Sequence, residues 1–117
     1  MIMRRLVLLA FFSVAAFAAD VTGTWNFNVE TDAGSGNPTF VLKQSGEQLT
    51  GTYSGALGEA QVKGSVKGDK VEITFEVSPS GDAVKVVYSG TLDGDKKMKG
   101  TVKLGDLGSG TFTGQKN

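Results

Sequence analysis

A five-residue pattern recurs along the chain and limits what it can fold into. It first reads Val21-Thr22-Gly23-Thr24-Trp25. It returns as Leu49-Thr50-Gly51-Thr52-Tyr53, Val62-Lys63-Gly64-Ser65-Val66, Tyr88-Ser89-Gly90-Thr91-Leu92, Met98-Lys99-Gly100-Thr101-Val102 and, more loosely, Gly108-Ser109-Gly110-Thr111-Phe112. An apolar residue, a glycine and a second apolar residue stand two apart, with Thr, Ser or Lys between them. Successive side chains of a strand point to opposite faces, so this is the signature of strands with one wet and one dry face.

Followed along the chain, the alternation predicts eight strands, over residues 21–30, 39–44, 48–54, 60–67, 70–77, 83–92, 96–104 and 109–115. Residues 31–38, Thr-Asp-Ala-Gly-Ser-Gly-Asn-Pro, read as a turn-forming, flexible loop. Gly68-Asp69 has the two-residue length that favours a primed hairpin turn. Short connections make sequential strands antiparallel neighbours. A meander of eight leaves two raw edges unless the first strand pairs with the last, and eight is the number at which a barrel is just filled or holds one small ligand. The expected fold is therefore all-β, an eight-stranded antiparallel up-and-down β-barrel (meander). A two-sheet sandwich is the alternative.

The faces agree with one another. Trp25, Phe27, Phe40, Tyr53, Phe75, Tyr88 and Phe112 all fall on the inward parity of their strands, as does Met98. No Asp, Glu or Lys does within the predicted strands. Setting Val77 opposite Val84 also sets Glu76 beside Lys85 on the wet face. Gly23, Gly51, Gly64, Gly90, Gly100, Gly110 and Gly114 are inward strand positions, where a missing side chain lets strands coil sharply and makes room for large neighbours.

The first eighteen residues read differently. Arg4 and Arg5 precede an apolar run over residues 6–17 broken only by Ser13, and Ala16-Phe17-Ala18 has the small-x-small form of a signal-peptidase site. The run is short against the ~20 residues of a membrane span. The expected organisation is a cleavable signal peptide, 1–18, and a β-barrel domain, 19–117, placed outside the cytoplasm, in the periplasm or secreted. The mature chain would begin at Ala19 or Asp20. Both arginines leave with the leader, so the remainder carries a slight excess of acids over lysines. Nothing in that balance draws it to nucleic acid. An outer-membrane barrel would be apolar outside and polar within. The pattern here is the reverse, so no membrane insertion is expected after cleavage.

Gly23-Thr24-Trp25 resembles the Gly-x-Trp that opens the barrel of lipocalins and avidins, the calycin group. Leu49-Thr50-Gly51-Thr52-Tyr53 followed by Gly58-Glu59-Ala60 is similar to a strand segment of avidins. The resemblance implies a calycin-like barrel, and it implies for Tyr53 the role of a tyrosine that helps hold the ligand's ureido oxygen. The chain departs from that family elsewhere. Its ligand-contacting asparagine falls on Phe27, its further tryptophans are missing because Trp25 stands alone, and the arginine packed over the first tryptophan is replaced by Lys103 or Lys116.

The chain has no His and no Cys, and no Arg beyond the leader, so hydrolase triads and imidazole or thiolate metal sites have no residues to build them. Asp32, Asp93 and Asp95 are the carboxylates open to acid-base work, and all three sit where turn geometry wants an aspartate. Asp93-Gly94-Asp95 lacks the spaced ligands of a calcium loop. No catalytic residue, metal or cofactor is expected. The expected function is a non-catalytic barrel acting as a structural or interaction module, with a protein partner. The alternative is a lipocalin-like binder of a small apolar ligand, for which Trp25, Tyr53 and Tyr88 are the candidate site residues, near a mouth bordered by residues 31–38.

Overall fold

Closure is decided along one strand. β1 (Gly23–Thr31) has antiparallel neighbours on both edges. β3 (Thr39–Ser45) lies against its first half, with Trp25 opposite Phe40. β9 (Ser109–Lys116) runs along the other edge, from Trp25 opposite Lys116 to Thr31 opposite Gly110. β4 (Gln48–Gly55), β5 (Gly58–Lys67), β6 (Lys70–Val77), β7 (Val84–Asp93) and β8 (Lys97–Leu104) join β3 to β9 in sequence order, each antiparallel to the one before. The computed structural model describes residues 20–117 except 33 and 80. The architecture is a closed eight-stranded antiparallel meander, as the alternation predicts; the leader and its cleavage site lie outside the described residues.

Two local features depart from the sequence reading. The loop expected over 31–38 contains a three-residue strand, β2 (Gly34–Gly36), folded back on β1 with Val29 opposite Gly36 and Thr31 opposite Gly34. Pro38 is the cause. It has no N–H, so the β3 ladder cannot continue past it, although its carbonyl still accepts from the Phe27 N–H at 3.0 Å. Beyond that point the edge of β1 would be bare. Backbone polar groups are almost always paired, and Gly34–Gly36 supplies the partners. The second departure is a single 3₁₀ turn, Gly105–Leu107, between β8 and β9.

Register follows the pattern closely. Glu76 pairs with Lys85 and Val77 with Val84. The two-residue connections Gly46-Glu47 and Gly68-Asp69 each begin with a glycine at φ 63°, and among the described residues no non-glycine has a positive φ. A glycine first with an ordinary residue second is the II′ hairpin signature, whose twist matches the strands it joins. Inward glycines serve two ends. A Cβ on Gly64 or Gly100 would stand 1.9 Å from a carbonyl oxygen of the neighbouring strand, so a side chain there would drive the strands apart. A Cβ on Gly90 or Gly114 would instead strike the rings of Phe112 and Phe27, at 2.8 and 2.6 Å.

Those rings fill the middle of the barrel. Phe27 stacks on Phe112 with centroids 4.8 Å apart and meets Phe40 at 4.5 Å; Tyr53 stacks on Phe75 at 4.4 Å. Tyr88 is packed among Phe27, Phe40, Phe75 and Phe112. Aromatic pairs of this kind contribute about 0.5–1.5 kcal/mol each beyond area burial. No polar or charged residue is buried with them among the described residues apart from the two tyrosines.

Candidate functional site

The barrel has two unlike ends. One carries the tight connections 45–48, 67–70 and 93–97 together with the segment entering β1 and the end of β9. The other carries the longer connections 31–39, 77–84 and 104–109 together with the two-residue connection 55–58.

The turn end is plugged. Trp25 is 0% exposed, and its indole Nε1–H donates to the Val21 carbonyl at 2.9 Å. Val21 is itself buried, its N–H donating to Gln44 Oε1 at 2.9 Å. The Gln44 N–H donates in turn to Thr22 Oγ1 at 3.0 Å, and the Asn117 N–H to the Thr24 carbonyl at 2.9 Å. Lys116 completes the plug. It continues the inward parity of Phe112 and Gly114 one step past the predicted strand, and its stem lies against Gly23. Its ammonium donates to the Asp20 carbonyl at 2.9 Å. Of the two lysines open to the place over the first tryptophan, Lys116 is opposite Trp25, whereas Lys103 is exposed on the outer wall opposite Val87 and Ser109. The Asp20 carboxylate is held below its usual range, first by the Thr22 N–H at 2.9 Å and then by the Thr22 hydroxyl.

The loop end is not plugged. It holds a cavity of about 110 Å³. Val29, Thr31, Leu104, Tyr53, Tyr88, Leu57 and Pro38 line it, together with β2. Its position follows from the sequence locally. Val29, Tyr53 and Leu104 are inward residues near the loop ends of their strands, Tyr88 is an inward residue midway along β7 that reaches the cavity from the aromatic centre, and β2 is held beside them by β1.

The two tyrosines differ. The Tyr53 hydroxyl accepts a hydrogen bond from the Leu57 N–H at 3.4 Å. Its tip rests against Gly55, where a Cβ would lie 2.7 Å from the hydroxyl oxygen and 2.9 Å from Pro38. Burial pushes its pKa up, partly offset by the Leu57 N–H. Tyr88 is 3% exposed, and its hydroxyl has no hydrogen-bond partner among the described residues. Burial pushes its pKa far up, with repulsion from Tyr53 adding to the shift. Both phenols are therefore neutral at ordinary pH and able to donate.

Of the three residues singled out in the sequence, Tyr53 and Tyr88 come together at this cavity, and Trp25 sits in the plug at the other end. Residues 31–38, expected to border the mouth, do so through Thr31, β2 and Pro38, whereas Leu57 was not singled out. The signal for Leu57 was an apolar residue in the otherwise small, polar turn Gly55-Ala56-Leu57-Gly58.

A closed meander barrel with one plugged end and a small tyrosine-lined mouth is the class of molecule these features define. No protein-family model matches the chain, and no curated protein matches it. Among solved structures it is similar to a redesigned β-barrel, mFAP1, bound to DFHBI, with 16% identity, TM-score 0.64, and coverage of 83% of this chain and 94% of that one. It is similar also to mFAP0, another redesigned barrel bound to DFHBI, with 19% identity, TM-score 0.64, and coverage of 82% and 98%. At these identities the likeness is one of fold.

Proposed function

We propose that this protein is an extracytoplasmic, non-catalytic barrel that binds one small, mainly apolar molecule at its loop end. The observation that carries this reading is the tyrosine-lined cavity of about 110 Å³ at an end that lacks the plug present at the other. Its size sets the scale of the ligand. Drug-sized molecules occupy pockets of about 300 Å³ or more, whereas an apolar cavity of about 150 Å³ accepts benzene. A single ring is the fitting guest, seated at the mouth, because the aromatic centre leaves the middle of the barrel filled. The two redesigned barrels, each bound to DFHBI, supply a precedent for a small molecule on a barrel of this shape. The leader supports an address outside the cytoplasm, and the absence of His, Cys and mature Arg supports a non-catalytic role.

The filled aromatic centre favours a second reading, a barrel that serves only as a structural or interaction module. Native mass spectrometry of the protein from its own source, with a toluene titration followed by NMR, separates the two. A co-purifying small molecule, or toluene-induced shifts confined to Leu57, Tyr53, Tyr88 and Leu104 and lost in Leu57→Trp, supports binding. No adduct and no shifts would leave the structural module.

A further inference from the structure

We infer that Tyr88 is the specificity determinant of the loop-end cavity, which takes a neutral single-ring molecule whose hydrogen-bond acceptor is delivered to the Tyr88 hydroxyl. This rests on the binding reading above and says which molecules that site prefers.

The Tyr88 ring is 5.5, 5.3, 6.1 and 5.1 Å from the rings of Phe27, Phe40, Phe75 and Phe112. So crowded a ring cannot swing its hydroxyl out to solvent. The side chain is 3% exposed, and its hydroxyl lacks a protein partner among the described residues. Buried polar groups are nearly always hydrogen-bonded, so one left unpaired beside a cavity marks where a guest's polar atom belongs. Tyr53 provides the internal contrast. Its hydroxyl accepts from the Leu57 N–H and is braced by Gly55 and Pro38, which fixes its place in the rim and leaves its own O–H as the competing donor that Tyr53→Phe tests.

No Lys, Arg, Asp or Glu lines the cavity among the described residues. An anionic guest would be desolvated there with no cation to meet it, and a cationic guest with no carboxylate. A neutral guest avoids both penalties. A phenol is a stronger donor than acceptor because its oxygen lone pair is delocalised into the ring, and burial keeps the Tyr88 proton in place. An acceptor on the guest is the matching group.

Benzonitrile and ethynylbenzene test this directly. They share a linear, single-ring shape, but only the first carries a good acceptor. Titrations of the full chain followed by NMR should show benzonitrile binding about tenfold tighter, the effect of one buried hydrogen bond. Tyr88→Phe should bring the two to within about twofold of each other, Tyr53→Phe should keep the preference, and benzoate should not bind. Equal binding of both probes by the native chain would overturn the role of Tyr88 while leaving the cavity a binding site. Failure of both probes to shift any loop-end signal would overturn the binding reading as well. If Tyr88→Phe does not fold, Tyr53→Phe decides: a retained preference leaves Tyr88 as the donor, and a lost one overturns its role.

Discussion

The two ends of this barrel are built from the same strands and finished in opposite ways. At the turn end, Trp25, Val21 and Lys116 fill the opening, and each polar group among them has a partner: the indole N–H on Val21, the Val21 N–H on Gln44, the ammonium on Asp20. At the loop end, Tyr53 and Tyr88 surround a cavity, and one of the two hydroxyls has no partner among the described residues. A core that fully satisfies its polar atoms serves stability. One that leaves a buried donor unpaired gives up stability where something else can supply the bond. Changes at the turn end should therefore lower stability without touching binding, and changes at the loop end should do the reverse.

The largest effect is expected from the plug. Trp25→Ala should cost about 3–5 kcal/mol, the range for large aromatic deletions in cores. That is a large share of the stability of a domain this small. Denaturant melts measure it. In the native chain, emission from this sole tryptophan should be blue-shifted and resist quenching by iodide. Toluene binding at the opposite end should leave that emission nearly unchanged. A water-exposed spectrum from folded protein would refute the plug, and a large toluene effect on it would refute the separation of the ends.

Next in size is the alkaline response of the loop end. The Tyr88 pKa lies above its ordinary value of 10.0 in the folded chain, so the folded state keeps a proton that the unfolded state loses. Stability contributed by that proton is complete below pH 10 and falls as pH rises beyond it, by up to about 1.4 kcal/mol per pH unit for one such group. Tyr53 adds a smaller dependence in the same direction, being less deeply buried and bonded to Leu57. Tyr88→Phe should flatten the decline above pH 10 and leave stability at pH 7 unchanged or higher, because it removes an unpaired buried hydroxyl. Denaturant melts from pH 8 to 11.5 test this, and an equal slope in the variant would remove the physical distinction drawn for Tyr88.

Much of the fold could be read in advance because strand faces depend on alternation alone. One parity sorts Trp25, Phe27, Phe40, Tyr53, Phe75, Tyr88 and Phe112 to the inside, and the same parity sets Glu76 beside Lys85. Closure of β1 on β9 followed from the cost of leaving two edges bare. β2 could not be read this way: Gly34-Ser35-Gly36 has no apolar alternation and low strand preference, and its pairing is imposed by the free edge of β1 beyond Pro38. The cavity was illegible for a related reason. Parity says that Tyr53 and Tyr88 point inward, but whether they meet wall or space depends on where Leu57 and Pro38 come to rest in the connections. Trp25 has the same parity as the tyrosines, and only the three-dimensional placement of Val21 and Lys116 shows that it belongs to the other end.

The smallest effect separates two lysines that the sequence left equivalent. Lys116 lies on the inward side of β9 opposite Trp25, its stem against Gly23 and its ammonium on the Asp20 carbonyl. Lys103 lies on the outer wall. Replacing each with Met keeps most of the stem and removes the charge. Lys103→Met should shift stability by no more than about 0.5 kcal/mol, as surface changes usually do. Lys116→Met should cost about 1 kcal/mol, because it leaves the Asp20 carbonyl without its charged donor. It should also raise iodide quenching of Trp25, since the chain entering β1 is then less firmly tied over the indole. The quenching readout matters most here, because it reports on the plug even if the stability difference is small. Equal quenching in the two variants would mean that Val21 and the backbone bonds of Gln44 and Asn117 close the turn end without the lysine.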